Sequence, residues 1–111
     1  MAKTTPQIRA RQLFCYPDPE PFCAVESPAW FAWLETATIF RYFSEQRWNW
    51  YSHYYSPFAP ISLRKERRRQ GWLWYAQRRV HGGLHKRYVG RSVDLTVARL
   101  EATAVALNEV W

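Results

Sequence analysis

Residues 61–90 read ISLRKERRRQGWLWYAQRRVHGGLHKRYVG, and this stretch decides the fold. Over Ile61–Arg67, Ile61, Leu63 and Lys65 alternate with Ser62, Arg64 and Glu66, the period of a strand. Trp72–Val80 and Leu84–Val89 are rich in aromatic and β-branched residues and read as two more strands. Arg68–Gly71 is a basic turn between the first two. His81-Gly82-Gly83 is a short glycine-rich hairpin loop between the last two, and Gly90 stops the third. The alternation leaves open which face packs inward. On the second strand Trp72, Trp74, Ala76, Arg78 and Val80 oppose Gly71, Leu73, Tyr75, Gln77 and Arg79, and neither set is cleanly apolar.

Downstream, Thr96 stands at an N-cap position with Leu95 and Leu100 as its hydrophobic staple. Val97, Leu100, Ala104 and Leu107 then recur at i, i+3, i+7 and i+10, which predicts an amphipathic helix to about Asn108. Upstream, Ser27-Pro28 predicts the cap and first residue of a short helix over Ala29–Thr36, with Trp30, Trp33 and Leu34 on one face. Thr38–Phe43 carries a strand signal. Gln46–Pro60 is a loop crowded with Trp48, Trp50, Tyr51, Tyr54, Tyr55 and Phe58. Residues 1–26 read as irregular, because Pro17, Pro19 and Pro21 forbid helix, with weak strand character around Leu13–Tyr16 and Phe22–Val25.

The expected architecture is therefore α+β. A three-stranded antiparallel sheet packs on a C-terminal helix, preceded by a short N-terminal helix and an irregular aromatic-rich segment. All 111 residues form a single domain, with the sheet and helix over residues 61–108 as its core.

Composition narrows the function. Hydrophobic residues make up 48% and charged residues 23%, the balance of a folded domain. Aromatics reach 18%, and the net charge is +7. That charge is local: Arg64–Arg91 holds ten cations and one anion, Glu66, so the remaining residues are slightly acidic. A local basic block implies a local anionic partner. No apolar stretch is long enough for a membrane span, and no basic-then-apolar leader opens the chain. The expected setting is the cytoplasm, associated with the nucleoid. Cys15 and Cys23 lack CxxC spacing and are expected to be reduced and structural.

Catalytic signals are weak. His53, His81 and His85 stand in no zinc-site spacing, there is no phosphate-cradling glycine motif, and most carboxylates lie outside the basic half. Neither enzyme activity, nor a small-molecule substrate, nor a cofactor or metal is expected. The basic sheet, by contrast, suits double-stranded DNA. A β-ribbon fits the major groove, where Arg64, Trp74, Gln77, Arg78, Arg79, Lys86 and Arg87 are the candidate groove-reading residues. Lys65, Arg67, Arg68, Arg69 and Arg91 are the candidate phosphate contacts.

Two segments, SPAWFAWLETATIF (27–40) and SLRKERRRQGWLWYAQRRVHGGLHKRYVGRSVDLTVARLEATA (62–104), carry a resemblance. Together they resemble an N-terminal module of large bacterial LuxR-type transcriptional regulators. The second segment is also similar to the arm-type DNA-binding domain of phage integrases and to the plant ethylene-response DNA-binding domain. The matching positions are Arg64–Glu66, Trp72–Arg79, Gly82 or Gly83, Lys86–Gly90 and Asp94–Leu100. The resemblance implies a three-stranded sheet on one helix, laid in the major groove. No ATPase or helix-turn-helix region follows Trp111, so the expected mode of action is occlusion, recruitment or work within a larger assembly.

Two other readings accompany this one. The aromatic segment, through Trp48, Trp50, Tyr54 and Phe58, docks on a protein partner that supplies the effector function. Alternatively, Trp72, Trp74 and Tyr75 stack on the bases of single-stranded nucleic acid.

Overall fold

The structure, a computed structural model, describes residues 5–44, 60–80 and 82–108. The candidate partner-binding residues Trp48, Trp50, Tyr54 and Phe58 lie outside the described residues, as do His53, His81 and Trp111.

Both expected helices form where their caps place them. In α1, Pro28–Thr36, the Ser27 hydroxyl accepts from the Trp30 N–H at 3.2 Å, with Pro28 at the first turn. In α2, Val97–Asn108, the Thr96 hydroxyl accepts from the Arg99 N–H at 3.2 Å, and the staple residues Leu95 and Leu100 are both fully buried. Glu26 adds a second cap from far away in sequence: its carboxylate accepts from the Val97 N–H at 2.8 Å. A 3-10 turn at Ser92–Asp94 leads into α2.

The expected strands over residues 61–90 also form, as β5 (Ile61–Arg68), β6 (Gly71–Val80) and β7 (Gly83–Gly90), and they pair antiparallel in chain order. The expectation of a three-stranded sheet is corrected, however. These strands are one side of a seven-stranded mixed sheet that also contains β1 (Gln7–Arg9), β2 (Gln12–Phe14), β3 (Cys23–Ala24) and β4 (Ile39–Tyr42), in the order β3-β2-β1-β4-β5-β6-β7. Residues 1–26 are accordingly not irregular throughout. The free edge of β4 needs partners for its backbone groups. Arg41 N–H donates to the Pro6 carbonyl at 2.8 Å and Phe43 N–H to the Ile8 carbonyl at 3.0 Å, which brings β1 alongside β4 in parallel. The β1–β2 hairpin turns at Ala10-Arg11, both at positive φ (50° and 64°), a primed-type turn with no glycine to announce it.

Both helices cover one face of this sheet. Ile8, Leu13, Phe40, Ile61, Leu63, Trp74 and Ala76 meet Trp30, Leu34, Leu100 and Ala104 in one fully buried core. Four aromatic rings run through it. Trp30 stacks on Trp33 at 5.7 Å between centroids and meets the edge of Phe40 at 5.4 Å, and Phe40 lies 5.2 Å from Trp74. The two buried indoles also tie the elements together. Trp30 Nε1 donates to the Leu95 carbonyl at 2.9 Å, and Trp74 Nε1 to Ser92 Oγ at 2.9 Å.

At the end of β7 the register shifts, so that Tyr75 pairs with Tyr88 and Trp74 with Gly90. Gly90 sits at φ +150°, where a Cβ would lie 2.8 Å from the Asp94 carboxylate. Only glycine fits there. Cys15 and Cys23 are free, half-buried thiols, and burial is the main cause raising both above the ordinary value. Among the described residues, no helix is long and apolar enough to cross a membrane.

Urea unfolding checks the aromatic core. Phe40→Ala should cost about 3–5 kcal/mol, the usual result of emptying a packed aromatic site. Trp30→Phe keeps a ring but orphans the Leu95 carbonyl and should cost about 1–3 kcal/mol.

Candidate nucleic-acid interface

The register of β4–β7 assigns every strand residue to a face, which the alternation alone left open. Leu63 pairs with Ala76 and Lys65 with Trp74 on the helix-covered face. The opposite, open face therefore carries Arg41, Ser62, Arg64, Glu66, Arg68, Leu73, Tyr75, Gln77, Arg79, Leu84, Lys86 and Tyr88. Reading straight across the strands, Gln7, Arg41, Ser62, Gln77 and Lys86 are successive neighbours, an unbroken row of hydrogen-bonding side chains over five strands.

The expected groove-reading residues divide between the two faces. Arg64, Gln77, Arg79 and Lys86 lie on the open face, and all but Gln77 are exposed. Trp74 is corrected: it is fully buried in the core and presents no surface to a groove. Arg78 faces the helix side, where its guanidinium donates to the Leu107 carbonyl at the end of α2 at 3.3 Å. Arg87 pairs with Ala76 and is exposed, but on the helix side of the edge strand.

The expected phosphate contacts divide as well. Lys65 is directed to the helix face, where its ammonium donates to the Leu34 carbonyl at 2.5 Å and to Glu35 at 3.3 Å. It caps the C-terminus of α1, where a cation complements the helix dipole. Arg67, Arg68 and Arg69 lie at the β5–β6 turn and are exposed. This turn extends past its neighbours, since β4 pairs no further than Arg64 and β7 no further than Trp74. Glu66–Leu73 is thus a two-stranded ribbon projecting from the sheet. Arg67 lies 5.6 Å from the ring of Trp72, which is half exposed. Arg91 is exposed just beyond β7.

Arg41, Tyr75 and Tyr88 were not among the residues expected at the groove. The strand signal at Thr38–Phe43 was visible, but nothing local says that this strand lies beside β5. Tyr75 and Tyr88 are cross-strand partners whose rings meet edge-on at 5.5 Å, and Tyr88 is more than half exposed.

Glu66 is the one anion among the described open-face residues of β4–β7. Its two carboxylate oxygens meet Arg68 and Lys86, each at 2.5 Å. Both cations also approach the Tyr75 ring, at 4.9 and 4.8 Å from its centroid. The hydrogen bond from Lys86 is the main cause holding the Glu66 carboxyl below its ordinary pKa, helped by Arg68 and opposed by partial desolvation. Among the described residues no group of three or more His, Cys, Asp or Glu side chains is placed to hold a metal.

No protein-family model, curated protein or solved structure matches the chain. The likeness to arm-type DNA-binding domains rests on the residues quoted above.

The Glu66 clamp has a definite pH signature. A carboxyl whose folded-state pKa is lowered stabilises the fold above its unfolded pKa, and this contribution fades as pH falls through the folded value. Melting temperatures of wild type and Glu66→Gln should therefore differ most at neutral pH. They should converge as the pH drops below the usual glutamate value of about 4.3.

Proposed function

We propose that this protein binds double-stranded DNA through the open face of its sheet and the projecting β5–β6 ribbon. The observation that carries this reading is the sorting of charge: among the described residues, Arg41, Arg64, Arg68, Arg79 and Lys86 share a face of β4–β7 with one carboxylate, while both helices occupy the other. A duplex presents regularly spaced phosphates to such a surface. The ribbon at Arg67–Arg69 is two strands wide, a width the major groove accepts. Seven strands at about 4.8 Å spacing are far broader than that groove, so the flanking strands would lie against the phosphate wall, with Arg41 among the contacts. In this reading Arg64, Arg79, Lys86 and Gln77 meet the DNA, while Lys65, Arg78 and Trp74 hold the scaffold. Transcription control of the LuxR-associated kind, or service to a mobile element, is the setting that the sequence resemblance suggests.

A second reading has one observation of its own. The exposed Tyr88, packed edge-on against Tyr75 between cations, is a stacking platform for an unpaired base. Tighter binding to oligo-dT than to duplex of equal length would favour it over the duplex reading.

Fluorescence anisotropy with a labelled duplex tests the main proposal. Five open-face cations engaged with phosphates predict a log-log salt slope of about −4 to −5. Arg64→Ala and Arg79→Ala should each weaken binding about fivefold or more and reduce that slope by about one. Arg87→Ala, on the helix side, should leave affinity within about twofold, and Glu66→Gln should raise it. Equal losses at Arg87 and Arg79 would refute the assignment of faces.

A further inference from the structure

The open face is indented near the end of β6. Arg41, Ser62, Arg64, Gln77, Arg78 and Arg79 contribute to the wall of a depression of about 690 Å³. The register explains why these side chains converge. Ser62 and Gln77 are direct cross-strand partners, and Arg41 stands beside Ser62 on the next strand. Arg64 and Arg79 lie two residues away from that pair in opposite directions along their strands. Neighbours at such diagonal positions are within reach of long side chains. Arg78 borders the depression as well, but its guanidinium is turned to the helix side, on the Leu107 carbonyl.

Three arginines of the open face, Arg41, Arg64 and Arg79, thus line one concavity with Ser62, Gln77, Pro60 and Leu84, and no carboxylate is among its described lining. Both described ion pairs belong to Glu66, so neither engages Arg41, Arg64, Arg78 or Arg79. Like charges lining one concavity repel, and a bound anion relieves that repulsion. One backbone phosphodiester carries a single charge and needs one guanidinium. A phosphomonoester carries close to two above its second pKa of about 6, offers three terminal oxygens and accepts bidentate bonds from several arginines at once. The volume falls in the range of about 300–1,000 Å³ found for small-molecule sites, large enough for a nucleotide.

We propose that this depression binds the phosphomonoester of a nucleotide. The phosphate has two sources, a free nucleoside monophosphate or the 5′-phosphate at the end of a nucleic-acid strand. The site shares Arg41, Arg64 and Arg79 with the surface proposed for the duplex, and the free monophosphate separates the two roles.

Two arms with the full-length chain test it. In the first, thermal shift and calorimetry compare adenosine 5′-monophosphate with adenosine. In the second, anisotropy compares a short overhang duplex carrying a 5′-phosphate with the same duplex carrying a 5′-hydroxyl. The expected result is a preference of at least about tenfold for the phosphorylated form, strengthening as pH rises through about 6. Arg41→Ala and Arg64→Ala should abolish the preference, and Arg87→Ala should leave it intact. A preference in both arms assigns the site to nucleotides in general, and one confined to the DNA arm assigns it to strand ends. Equal binding of phosphorylated and unphosphorylated forms in both arms overturns the proposal. Failure of the 5′-hydroxyl duplex to bind, with the monophosphate still bound, counts against the duplex reading alone.

Discussion

The contact on which the rest depends is the meeting of Trp30, Phe40 and Trp74, with the two indole N–H groups bonded to Leu95 and Ser92. Those contacts join α1, β4, β6 and the turn before α2 at one point. Each buried indole carries a donor that has to find an acceptor, so the cluster accepts one arrangement of these elements and no sliding of one past another. Its most important consequence lies on the other side of the sheet. With Trp74 inward, Tyr75, Gln77 and Arg79 must point outward. A slip of one residue would reverse every side chain of β6, exposing Trp74 and turning Gln77 and Arg79 toward the core.

The same constraint sorts the cations by role. Lys65 lies on the core parity yet never enters the core. Its ammonium lies 5.4 Å from the Trp74 ring centroid and closes the last turn of α1. Arg78 does the equivalent for the end of α2, and Arg99 donates to the Val89 carbonyl at 2.6 Å. A basic block that looks uniform along the chain is therefore two populations in space. One holds helices and loops onto the sheet. The other stands on the open face, where Glu66 pins Arg68 and Lys86 over the Tyr75 ring.

Glu26 shows how far such ties reach. It adopts a left-handed conformation (φ 74°) just before α1 and places its carboxylate on the first turn of α2, 71 residues away. A carboxylate at a helix N-terminus is favourable on both hydrogen-bonding and dipole grounds, which explains why a non-glycine residue is held there. The two helices are thus linked directly as well as through the sheet.

Local chemistry determined much of this protein. Ser27-Pro28 and Thr96 with its Leu95–Leu100 staple start their helices, and the alternation over Ile61–Arg67 with the glycines at 82, 83 and 90 marks β5, β6 and β7. These are short-range effects, written in neighbouring residues. Three things needed the tertiary structure. The pairing of β1 with β4 is a contact between distant segments, and the β1–β2 turn at Ala10-Arg11 lacks the residues that normally signal one. The inward face of β6 was undecided because Arg78 shares a parity with Trp74 and Ala76, and only the carbonyl of Leu107 shows where that charge goes. The convergence of Arg41 with Arg64 and Arg79 follows from strand register, which no stretch of sequence states by itself, because register is settled by what the whole sheet buries.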